Sequence, residues 1–143
     1  MTTTTQQHDA RRTPPSGGWA LRGNCMGAAV LLIVQFGLGI AVNLYGTLPH
    51  HKSFFSTVSG SALLAAHVIV ALALLGASVG ALVRAIRARR VIVPTAVGLG
   101  AVLAAAIAGA AFTSTQNTGA SLAMALATAV AMVSYLVAIF HLR

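Results

Sequence analysis

The sequence predicts an all-α integral membrane protein: an up-down four-helix bundle with both termini in the cytoplasm. Three observations predict it. Apolar residues make up 57% of the 143 residues and charged residues only 7%, where a soluble domain carries about a quarter charged residues. Four apolar stretches each approach or exceed the ~20 residues that span a bilayer. The basic residues fall almost entirely to one side of those stretches.

Residues 1–22 read as a disordered basic cytoplasmic tail, rich in Thr, Gln, Pro and Gly, a composition that cannot bury a core. Residues 23–143 form the membrane domain. Its first span covers about 26–44. Pro14, Pro15, Gly17 and Gly18 precede it, and Arg11-Arg12 is not followed by the short apolar core of a twin-arginine signal, so the span reads as an uncleaved anchor. Trp19 suits the inner headgroup level, and Tyr45, Phe54 and Phe55 suit the outer one. An outer loop carrying His50-His51-Lys52 leads to the second span, about 58–83. A short loop with Arg84, Arg87, Arg89 and Arg90 leads to the third, about 91–112. An uncharged turn, Thr113 to Gly119, leads to the fourth, about 120–140. Each span is helical because hydrocarbon offers backbone groups no partner, and four strands cannot close a barrel.

Orientation follows from charge. Arg11, Arg12, Arg22, Arg84, Arg87, Arg89, Arg90 and Arg143 lie on one side, and Lys52 alone on the other. The positive-inside rule places the first group in the cytoplasm.

Composition also excludes chemistries. There is no Glu, and the one acidic residue is Asp9 in the tail. A carboxylate acid–base pair, a carboxylate metal site, a Ser-His-Asp triad and a membrane-embedded proton-carrying carboxylate all lack their side chains. The net charge of +8 sits at span ends, where anionic headgroups attract it. It does not point to nucleic acid. Arg84, Arg87, Arg89 and Arg90 are therefore expected to contact anionic lipid. The single cysteine, Cys25, excludes an intrachain disulfide or a Cys-x-x-Cys site and reads as a small apolar residue.

Helices in lipid associate by close packing. Gly37 and Ala41, Gly76 and Gly80, and the stripe Gly98, Ala101, Ala105, Gly109 offer that approach, within one chain or against a second copy.

Uncharged polar residues inside the spans are the candidate site. Gln35 and Asn43 share a helical stripe with Gly39 between them. His67 lies in the second span; Ser121, Thr128, Ser134 and Tyr135 lie in the fourth, with Met124 and Met132. At ~1.5 Å per residue, Gln35 and His67 lie at similar depth on neighbouring antiparallel spans, within hydrogen-bonding reach. The expected site is a polar layer of Gln35, His67 and Thr128 near the midplane, with Asn43 and Met124 nearer the outer side. Such a layer fixes helix register or receives a quinone, lipid or other lipophile. His67 paired with Met124 or Met132 would be needed to hold a b-type haem.

The run Val34-Gln35-Phe36-Gly37-Leu38-Gly39-Ile40-Ala41-Val42-Asn43-Leu44-Tyr45, with Gly109-Ala110-Ala111-Phe112 and Ser121-Leu122-Ala123-Met124-Ala125-Leu126, resembles a group of small four-span membrane proteins of high-GC Gram-positive bacteria. The resemblance covers about residues 25–140 and implies the four-helix topology and no established activity. The Gly-rich first span and His67 are also similar to one four-helix half of haem A synthase. The paired histidine that this similarity implies in the fourth helix is absent between Ser121 and Thr128. The expected function is a non-catalytic bacterial inner-membrane protein, an accessory or lipophilic-ligand-binding component without cofactor. The alternative is a redox membrane protein holding haem or quinol at His67.

Overall fold

The computed structural model describes residues 16–45 and 58–143. Asp9, Arg11-Arg12, His50-His51-Lys52, Phe54 and Phe55 lie outside the described residues. Within them the chain forms helices α1 (Ser16–Tyr45), α2 (Ala62–Ala88), α3 (Ile92–Thr115) and α4 (Thr118–His141), and no strand. All four are long and apolar enough to cross a membrane, so by length and composition this is a multi-pass membrane protein.

The observed helices run past most of the expected span ends, because apolarity marks the hydrocarbon-facing portion while hydrogen bonding continues towards the headgroups. The largest difference corrects the tail. Helix α1 begins at Ser16, so residues 16–22 are helical. Leu21 is fully buried, and the Arg84 guanidinium on α2 donates to the Ala20 carbonyl at 3.2 Å and to Asn24 Oδ1 at 2.7 Å. Packing and a charge-assisted bond thus hold this extra stretch of helix.

Local chemistry sets the other ends. Ser61 caps α2, its Oγ accepting from the Leu64 amide at 3.3 Å. Asn117 caps α4, its Oδ1 accepting from the Gly119 amide at 2.7 Å. Both residue types are preferred N-caps. The link Arg89-Arg90-Val91 is so short that Arg89 and Val91 both adopt positive φ, 51° in each case. That region is strained for a β-branched residue such as Val91.

Burial recurs with alternating steps of three and four residues in every helix. On α1 the inward positions are Leu21, Cys25, Ala28, Leu32, Gln35, Gly39 and Val42; on α2 they are Leu64, His67, Ala71, Leu74, Ser78, Ala81 and Ala85. On α3 and its N-cap they are Val91, Thr95, Gly98, Val102, Ala105, Gly109 and Phe112; on α4 and its C-cap they are Ser121, Met124, Thr128, Ala131, Tyr135, Ala138 and Leu142. This 3.5-residue repeat is the spacing of helices that pack knobs into holes. The seam carries many of the small and polar residues. Large aliphatics such as Ile33, Leu72, Val93, Ile107 and Val133 are exposed, as suits a surface facing lipid.

Each helix packs on two others. The pairs α1/α2 and α3/α4 are the most extensive, and α1/α4 and α2/α3 close the ring. On α1 and α2, Asn24 meets Arg84 and Gln35 meets His67. Gly98 and Gly109 of α3 lie against Tyr135 and Met124 of α4. In both pairs, residue numbers rise in opposite directions. Gly80 approaches the Asn24 side chain, its added Cβ lying 3.2 Å from Nδ2, but Gly37 and Gly76 have nothing within 4 Å. Those two glycines do not serve the close approach expected of them within the chain.

Candidate functional site

The four helices pack tightly towards the arginine-rich end and open towards the other. At the packed end the Tyr135 side chain is fully buried. It lies so close to Gly98 that a Cβ there would stand 2.8 Å from Tyr135 Cζ. Neither its hydroxyl nor that of the equally buried Ser78 has a partner within ordinary hydrogen-bond geometry.

Beyond Leu32, Leu74 and Val102 the seam becomes Gln35, Gly39, Ala71, Ala105 and Gly109, with Phe112 further along the lining. The result is a cavity of about 310 Å³ contributed to by all four helices. That lies at the lower end of the ~300–1,000 Å³ range of ligand pockets, room for one small molecule rather than a two-chain lipid.

All five residues singled out from the sequence line this cavity: Gln35, Asn43, His67, Met124 and Thr128. The expected contact between Gln35 and His67 is present, with Gln35 Nε2 donating to His67 Nε2 at 2.9 Å. Gly39 makes room for the ring, since a Cβ there would lie 3.4 Å from His67 Cε1. Two polar atoms stay buried without partners: Gln35 Oε1 and His67 Nδ1.

The other members differ from the expected layer. The Thr128 hydroxyl donates to the Met124 carbonyl on its own helix at 2.8 Å, the usual local bond of a helical threonine. Its hydrogen is therefore engaged within α4. Asn43 is exposed, because the inward register steps from Gly39 to Val42 rather than by another four residues. Asn43, Thr113 and Ser121 belong to the outer portion of the lining. Met132 lies deeper, packed against the tight core, and only Met124 shares the cavity with His67. In this arrangement His67 Nε2, one of the two nitrogens able to ligate iron, is occupied by Gln35. Among the described residues no three His, Cys, Asp or Glu side chains gather as a metal site.

Sequence reasoning missed Ser78, Thr95 and Asn24. Ser78 and Thr95 are fully buried, and Thr95 Oγ1 donates to the Val91 carbonyl at 2.8 Å. Both sit on the 3.5-residue register, and that periodicity was the signal available to find them.

The described basic residues collect at the packed end. Arg84 ties α2 to the start of α1, Arg90 and His141 line one shallow groove, and Arg143 covers the Phe140 ring at 4.6 Å. No described residue lining the main cavity is charged.

Fold and site together define a class: a four-helix membrane protein with an uncharged, hydrogen-bonding cavity in the half of the bundle away from its basic end. Neither a protein-family profile, nor a curated protein, nor a solved structure matches this chain.

Proposed function

We propose that this is a bacterial inner-membrane protein that binds one small lipophilic molecule in the cavity and catalyses no reaction on it. The bundle is up-down, with both termini and the arginine-rich link in the cytoplasm, a reading that the eight-to-one division of basic residues supports. Arg84 braces α1 against α2, while Arg87, Arg89 and Arg90 meet anionic headgroups. The protein then serves as an accessory component that holds or presents its ligand to a partner in the membrane.

The observation that carries this reading is the cavity itself, about 310 Å³ and lined by Gln35 and His67 amid mostly apolar side chains. Close packing is the rule inside proteins, and a void of this size forfeits contacts unless something fills it. The packed end lies between it and the basic end, which favours a binding site over a conduit.

Native mass spectrometry of the protein released from its own membranes tests the reading. One small lipophile per chain is expected on the wild type and none on Ala105→Phe, which fills the cavity. Identical adducts on both would remove the cavity as the binding site. A periplasm-dependent reporter fused to the C-terminus should stay silent; activity there would reverse the orientation.

A further inference from the structure

Building on the cavity reading, we infer that the ligand is an uncharged lipophile bearing a hydroxyl, a small alcohol or phenol, which bonds to the Gln35–His67 pair. The argument begins with charge. No described residue of the lining is charged, so a carboxylate, phosphate or ammonium would enter without a counterion, the most costly kind of burial.

Hydrogen-bond inventory narrows the class further. With Gln35 Nε2 donating to His67 Nε2, the ring proton lies on Nδ1. The atoms without a partner are an acceptor, Gln35 Oε1, and a donor, Nδ1–H, and the amide keeps its second N–H besides. Turning the amide over exchanges the roles, because ring Nε2–H then donates to Oε1. That leaves the amide NH2, with two hydrogens to donate, and an accepting Nδ1, so at least one donor and one acceptor remain either way. The result is therefore independent of which way the amide and tautomer are assigned. A hydroxyl is both donor and acceptor; an ether, ester or ketone only accepts, and a hydrocarbon does neither. Only the hydroxyl answers both orphans. Both residues line the cavity, and both orphan atoms are sheltered within the bundle.

Thymol and its methyl ether, alike in shape and apolarity, provide the test. Equilibrium binding of each is measured to the full chain in phosphatidylcholine nanodiscs, with empty nanodiscs as the blank. Thymol should bind about tenfold more tightly than the ether, the worth of one to two net hydrogen bonds. Gln35→Leu with His67→Leu should bring the two affinities together, and Ala105→Phe should abolish both, with thermal melting confirming that each variant is folded. The wild-type ratio needs no variant to fold. Equal wild-type affinities, both lost in Ala105→Phe, would overturn the hydroxyl inference and leave the cavity reading standing. Failure of both probes to bind above the blank would overturn both.

Discussion

The two halves of this bundle use the same seam and reach opposite results. Both place small residues at inward positions: Ala28, Ala81, Gly98 and Ala138 at the arginine-rich end, Gly39, Ala71, Ala105 and Gly109 at the other. At the first, Tyr135 from α4 fills the space that Gly98 leaves on α3. At the second, Gly39 faces the smaller His67 ring and Gly109 the Met124 thioether, and about 310 Å³ stays open with Phe112 on its lining. Small residues permit close approach in lipid, but the comparison shows that they do not ensure it. One large side chain on the facing helix decides whether a small-residue seam becomes a core or a pocket.

The strongest way to break this comparison is to remove the filler. Tyr135→Ala should cost about 3–5 kcal/mol, the range for deleting a buried aromatic ring. Met124→Ala borders existing space in the open half and should cost less than about 1 kcal/mol, because little new cavity is made. Unfolding titrations in mixed detergent micelles measure both. Equal losses would mean that the open half is as tightly packed as the other.

A subtler break acts on the glycines. Gly98→Ala forces a methyl to within 2.8 Å of Tyr135 Cζ, and overpacking of this kind costs about 1–3 kcal/mol. Gly39→Ala meets His67 Cε1 at 3.4 Å, an ordinary contact, and Gly76→Ala meets nothing within 4 Å. Both should be tolerated, and Gly76→Ala should leave the melting temperature unchanged or slightly raised. A large loss at Gly76 would reveal a helix from a second copy against that face.

These contrasts also explain what the sequence could and could not disclose. The four spans were legible because about 20 apolar residues in a row have few other uses. The Gln35–His67 contact was legible because depth along an antiparallel pair follows from residue count and rise. The inward register was harder to see. In water it would stand out as apolar against polar, but here both faces are apolar and the seam is marked by size. Asn43 looked like the third member of a stripe of four-residue steps, whereas a supercoiled seam alternates fours with threes. Ser78 and Thr95 escaped notice because small hydroxyl residues carry no charge to attract attention, and Thr95 satisfies its hydroxyl on its own helix. The start of α1 was misplaced because Arg22 and Asn24 interrupt the apolar run, although Asn24 is the residue that receives Arg84. The cavity was not legible at all: it is an absence of side-chain volume, fixed only once the register of all four helices is known.

The smallest expected effect sharpens the comparison most, because it asks why the open half retains polar groups. A double-mutant cycle on Gln35 and His67 separates register from binding. Gln35→Leu leaves the imidazole without its partner, and His67→Leu does the same to the amide, so each single change should cost about 1 kcal/mol through an unsatisfied buried group. If removing both partners removes both penalties, the coupling should approach the sum of the two single losses, about 2 kcal/mol. The double change removes the bond together with both atoms that it leaves unsatisfied, Gln35 Oε1 and His67 Nδ1, and adds aliphatic volume to a cavity. It should therefore return close to wild-type stability, or exceed it, while losing discrimination between alcohol and ether. A pair that can be deleted without loss of stability is not what holds the helices in register, and its retention must be explained by what it binds. Should the double variant instead be as unstable as either single variant, the pair would be a structural pin, and the open half would owe its polarity to folding.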